Sequence, residues 1–143
     1  MRRRTRRLKL SEVDLKRQKL IPSEYGECKA FWAYAKKHPI LRESLVKHTN
    51  EHLAKTLTEK NFLRSLLAIG MRPGLIDYQL YVDNDRWFSL CIEMKRSDQR
   101  NAKRDPNQEK FMAMMRKQGH CAVYAFSASE AIDICLKYLQ NKI

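Results

Sequence analysis

From about residue 23 the spacing of apolar positions predicts helices first and strands afterwards. Pro22-Ser23-Glu24 has the form of a helix start, with Ser23 able to cap and acids in the first turn. Cys28, Phe31, Trp32, Tyr34 and Ala35 recur near helical spacing until about Lys37, where His38-Pro39 stops the run. At that spacing Phe31, Trp32 and Tyr34 are expected in the core, with base stacking as the alternative use of their rings. Leu41 to Asn50 is mixed and favours no period. A second helix is predicted over roughly 51–69, with Leu53, Leu57, Phe62, Leu66 and Leu67 as its apolar stripe. Gly70 sits where a C-terminal glycine cap belongs.

The period then changes. Leu75 to Val82 is aromatic and β-branched, Asp83-Asn84-Asp85-Arg86 is a turn, and Trp87 to Met94 is a second strand, so the two form a hairpin. Ser97 to Pro106 is polar and basic, hence a loop. Asn107 to Lys117 is helical with Phe111, Met112 and Met115 inward, and Gly119 ends it. Cys121 to Phe126 is a short buried strand. A last helix follows Ser127 or Ser129, with Ala131, Ile132, Ile134, Cys135, Tyr138 and Leu139 as its core face. The order αα-ββ-α-β-α predicts an α/β domain, a mixed sheet with helices on its faces.

Composition narrows the partners. The chain has 143 residues, room for one core, and 29 basic against 16 acidic residues, a net charge of +13. That balance favours a polyanion. Residues 1–20 hold nine of the cations and two acids and too few apolar residues for a core. They read as a basic arm, with Arg2, Arg3, Arg4, Arg6 and Arg7 available to phosphates, ahead of a domain over 21–143. No apolar run approaches the ~18 residues of a membrane span, and the arm lacks the apolar face of a membrane-surface helix. Cys28, Cys91, Cys121 and Cys135 are unevenly spaced with no CxxC, which reads as reduced core-filling thiols in a cytoplasmic compartment.

Two strands carry charges that a core strand does not want. Asp77 follows Gly74-Leu75-Ile76, and Glu93-Met94-Lys95 closes Leu90-Cys91-Ile92. Alternation sets Glu93 and Lys95 on one face of the sheet, and Asp77 on the neighbouring strand can meet them. Two converging carboxylates make a hard, oxygen-rich pocket suited to Mg²⁺ or Mn²⁺. A lysine beside them can orient or deprotonate water, or hold a phosphate. For Glu93 and Lys95 alone, a solvated ion pair is the commoner meaning. The nearby run of Arg96, Arg100, Lys103 and Arg104 is expected to grip phosphates without reading bases. His48 and His52, four apart, lack a third ligand and read as surface or phosphate-contacting residues.

Gly74-Leu75-Ile76-Asp77, Cys91-Ile92-Glu93-Met94-Lys95-Arg96, Gln108 and Gly119 together resemble the VRR-NUC nucleases, a branch of the PD-(D/E)XK restriction-endonuclease-like superfamily. The likeness runs over roughly residues 23–140 and extends to Ser23-Glu24, His38-Pro39, Asn50-Glu51 and Ser129-Glu130-Ala131-Ile132. It is nearest in layout to the phage-encoded, stand-alone members. Two positions depart from the pattern: Ile76 where proline is usual, and Cys28 where a first-helix glutamine is usual.

The resemblance implies a restriction-endonuclease-like core and metal-dependent phosphodiester hydrolysis. Asp77 and Glu93 would hold the metal, Lys95 would position the water, and Gln108 would support the site. Glu24 would complete the metal shell, with Glu27, one turn on, as its rival. The expected activity is that of an Mg²⁺-dependent endonuclease acting on DNA, in a bacterial or phage-infected host cell. A homodimer with two-fold-related sites would suit a branched substrate such as a four-way (Holliday) junction. The competing expectation is a non-catalytic nucleic-acid-binding module in which the charges form a structural cluster.

Overall fold

The computed structural model describes residues 21–48, 57–70 and 75–143. The basic arm with Arg2, Arg3, Arg4, Arg6 and Arg7, the start of the second predicted helix, His52 and Met71 to Gly74 lie outside the described residues.

Ser23 caps the first helix, α1 (Glu24–Ala35), accepting from the Gly26 amide at 3.0 Å. His38 then caps a short helix, α2 (Pro39–Ser44), and the chain extends directly into strand β1 (Leu45–Lys47). Helix α3 (Leu57–Ala68) follows, and Gly70 at φ +100° sits just past its end. The remaining elements are β2 (Tyr78–Leu80), β3 (Leu90–Met94), α4 (Pro106–Lys117), β4 (Cys121–Ala125) and α5 (Ala128–Leu139). A 3₁₀ turn, Ser97–Gln99, opens the loop before α4. Relative to the sequence expectation, α2 and β1 are additional. They occupy the stretch that favoured no period, because three residues of strand are too few to establish alternation.

The sheet runs β1-β2-β3-β4. β1, β2 and β3 are antiparallel neighbours, and β4 returns parallel to β3 after α4 makes the crossover. Helices on both faces let β3 be buried along its whole length. Leu90, Ile92 and Met94 pack with Phe31 of α1 and Ala131, Cys135 and Tyr138 of α5. Cys91 packs the other way, with Ile76, Ala122 and Met112 of α4. Phe31 stands edge-on to Tyr78 with ring centroids 5.0 Å apart, so α1 is pinned over the middle of the sheet.

Three expectations are corrected. Trp32 and Tyr34 are exposed; Phe31 alone of that aromatic group enters the core. A helix face is narrower than the run of aromatics, and Phe31, Ala35 and Glu27 fill it. The stripe on α3 buries none of its described side chains, and Phe62 and Leu67 face solvent. α1 and α5 already cover one sheet face and α4 the other. Finally, β2 is three residues long rather than eight, since Tyr81 to Asn84 leaves the ladder.

No helix among the described residues is long and apolar enough to cross a membrane.

Candidate active site

β2 begins where β3 ends, because the two are antiparallel. Their register pairs Tyr78 with Ile92, and one further step sets Asp77 opposite Glu93 at a single end of the sheet. Both carboxylates are buried, Asp77 5% and Glu93 1% exposed. Asp77 is held through Oδ2, which accepts from the Met94 amide at 2.9 Å. Its Oδ1 carries the Lys47 ammonium at 2.5 Å. Glu93 Oε1 accepts from Lys95 Nζ at 2.8 Å and from Gln108 Nε2 at 2.5 Å. Gln108 reaches it because Asp105 caps α4 one turn earlier and aims the first turn of that helix at β3.

Burial pushes the Glu93 carboxyl up to about 7, and the Asp77 charge adds to the rise. The Lys95 ammonium opposes it without cancelling it, and Glu24 pushes upward again. Lys95 itself is raised: burial works against the ammonium, but the hydrogen bond to Glu93 and the charges of Glu93, Glu24 and Asp77 outweigh that. Lys95 is therefore protonated at neutral pH.

The two first-helix glutamates point to different tasks. Glu27 is buried and its Oε2 accepts from the Ala128 amide at 2.7 Å, so it neutralises the N-terminal end of α5. Glu24 lines the groove that Asp77 also lines.

The donor set fits a hard divalent cation. Among the described residues nothing hydrogen-bonds Glu93 Oε2 or Gln108 Oε1, although both atoms are buried. Buried carboxylate oxygen without a partner is costly and uncommon. As placed, no three His, Cys, Asp or Glu side chains among the described residues are gathered to chelate one ion. The Lys47 and Lys95 ammoniums supply the neutralising charge instead, one on each carboxylate.

No protein-family profile and no curated protein sequence matches the chain. Among solved structures, a protein described as "VRR_NUC domain protein" superposes with a TM-score of 0.66 at 19% identity, over 84% of this chain and 90% of that one. The chain has the VRR-NUC fold. An α/β core of the restriction-endonuclease kind is compatible with every layer described above.

Within this VRR-NUC fold the cations of the basic run after β3 make contacts of their own. Arg104 donates to the carbonyls of Gln99, Arg100 and Ala102 and lies over the Tyr124 and Phe126 rings at 4.7 and 4.9 Å. Arg100 pairs with Glu130 at 2.7 Å and also stacks on Phe126. Arg96 pairs with Asp98. These three shape their own loop, while Lys103 is exposed. Cys91, Cys121 and Cys135 are buried free thiols, and Cys28 is half-buried at the groove.

Sequence reasoning missed Lys47 at the site and the buried contact that occupies Glu27. Lys47 escaped because β1 was not legible. The contact between Glu27 and Ala128 spans 101 residues, and no local signal marks it.

Proposed function

We propose that the protein is a metal-dependent nuclease that hydrolyses DNA phosphodiester bonds. The observation that carries this reading is the buried group of Asp77, Glu93 and Gln108, paired with half-buried Lys95, and its unpartnered oxygen on Glu93. A cluster kept only for stability is expected to satisfy all its buried oxygens, so this one favours a ligand-binding role over a structural one. The VRR-NUC fold supports the same class of chemistry.

Asp77, Glu93 and Glu24 would hold Mg²⁺ or Mn²⁺. Such an ion supplies Lewis-acid stabilisation of charge on the phosphate oxygens. Lys95, held by Glu93, would orient the attacking water for in-line displacement at phosphorus. As the new P–O bond forms the bond to the leaving sugar oxygen breaks, the water's proton passes to solvent and the leaving oxygen takes one from solvent. Gln108 is a positioning residue that holds the Glu93 carboxylate through Oε1. The net charge of +13 draws the DNA backbone to the site without selecting sequence.

A homodimer cutting a four-way junction is proposed as the finer form of this reading, since two-fold-related sites match a symmetric branched substrate. A panel of labelled blunt, nicked, flapped and four-way DNAs, incubated with Mg²⁺ and with chelator, tests both levels. Cleavage in Mg²⁺ and none in chelator is expected, with the junction cut symmetrically. No Mg²⁺-dependent product from any DNA contradicts the nuclease reading.

A further inference from the structure

The groove beside the carboxylates offers more aromatic surface than a phosphate and a cation require. It encloses about 830 Å³, within the ~300–1,000 Å³ of pockets that bury ligands of nucleotide size. One wall is α1, where Tyr25, Lys29 and Trp32 stand at i, i+4 and i+7 and so share a face. The other wall is the β1 edge with Lys47 and His48, and Tyr78 lies between. Tyr25 is 73% and Trp32 41% exposed. Lys29 sits over the Tyr25 ring at 5.7 Å and Lys47 over the Tyr78 ring at 5.1 Å, so cations and rings alternate along the groove. Glu24 and Asp77 lie along the same groove.

We infer that this groove binds an unpaired segment of DNA next to the scissile bond, with Tyr25 and Trp32 stacking on bases and Lys29 and Lys47 on phosphates. The inference rests on the nuclease reading and names its substrate as DNA with a single-stranded portion, such as a flap, in place of the fully paired four-way junction. Within a duplex each base face is covered by its neighbours, whereas an unpaired base has a face free to stack. Stacking tolerates any sequence, because every base has a π-face. Lys29 and Lys47, each over one face of a tyrosine ring, bring positive charge to the backbone that joins those bases. Trp32 lies eight residues beyond Glu24, about 12 Å along the helix at ~1.5 Å per residue. That spans roughly three nucleotides at ~3.4 Å each.

The test is anisotropy titration of the full chain, in chelator, with three labelled DNAs: a blunt duplex, one with a short thymidine tail, and one whose tail is abasic. The wild type is expected to prefer the base-bearing tail over the abasic tail by roughly tenfold or more. Trp32→Ala or Tyr25→Ala is expected to lose most of that preference while keeping its affinity for blunt duplex and its circular dichroism. Both rings are exposed, so their removal leaves the core packed. Equal wild-type affinity for the two tails overturns the inference, and so does an unchanged preference in both variants. Cleavage with Mg²⁺ judges the nuclease reading separately: tails bound equally by a protein that still cuts DNA sink this inference alone. Failure to bind any of the three DNAs in chelator sinks this inference, and cleavage with Mg²⁺ still decides the nuclease reading.

Discussion

Glu93 is only about half ionised at neutral pH, since burial and then the Asp77 charge hold its carboxyl near 7 instead of the usual 4.5. A folded-state pKa above the unfolded value means that folding favours the protonated form. Its contribution is therefore full below about 4.5 and is lost as pH rises through about 7. Glu93→Gln is neutral throughout, so in chelator it is expected to raise the melting temperature at pH 8 and to bring no gain at pH 4.5. On the order of 1–2 kcal/mol is expected at pH 8 after allowing for the lost Lys95 contact. Calorimetry at the two pH values checks this, and a lower melting temperature at pH 8 would mean that the Lys95 pairing dominates.

Glu24 and Glu27 separate by phenotype. Glu24→Gln is expected to cut Mg²⁺-dependent cleavage by tenfold or more while leaving thermal stability within about 0.5 kcal/mol. Glu27→Ala removes the buried acceptor for the Ala128 amide and is expected to cost about 1–3 kcal/mol. Cleavage rates and melting curves on the two proteins decide it; reversed phenotypes would exchange the two roles. Asp77, Glu93, Lys95 and Gln108 were legible in the sequence because charged or amide side chains interrupt apolar strands and open a helix. Arg100 and Arg104 were legible as cations but not as loop braces, since the rings they cover come from β4 and the residue just after it.

Helix ends explain much of what was readable at the level of elements. Ser23, Asp105 and Ser127 each accept from an amide in the first helical turn, and all three are local signals. Gly70 and Gly119 both adopt positive φ past a helix end, but their surroundings differ. A Cβ on Gly119 would come within 2.8 Å of Phe88 Cε2, whereas one on Gly70 would meet nothing within 4 Å. Gly70→Ala is therefore expected to cost about 1 kcal/mol from backbone strain alone. Gly119→Ala also displaces the ring of Phe88, which is 70% exposed, and is expected to cost only slightly more; urea melts of the two variants give the order. α3 shows where periodicity stops informing. An amphipathic pattern records that one face is apolar, but its partner is chosen by which sheet faces are still free. Tyr25, Phe31 and Trp32 teach the same point: aromatic content along α1 was visible, and its division between core and groove was not.

At the scale of the molecule, under the nuclease proposal, charge gathers the DNA and the sheet end cleaves it. Deleting residues 1–9, which hold six cations and no acid, is expected to weaken binding to all DNAs alike. It should also flatten the slope of log affinity against log salt, because fewer counterions are released. An unchanged slope would take the arm off the DNA. The central claim is that Asp77, Glu93 and Lys95 act as one catalytic unit. It is tested most directly by single-turnover cleavage with Asp77→Asn, Glu93→Gln, Lys95→Ala and their double variants in Mg²⁺. Each single variant is expected to lose at least about a hundredfold in rate, and the doubles to be barely worse than the singles, since groups serving one transition state fail together. DNA binding in chelator should persist in all of them. Wild-type cleavage by Asp77→Asn, in a preparation free of other nucleases, would contradict the account.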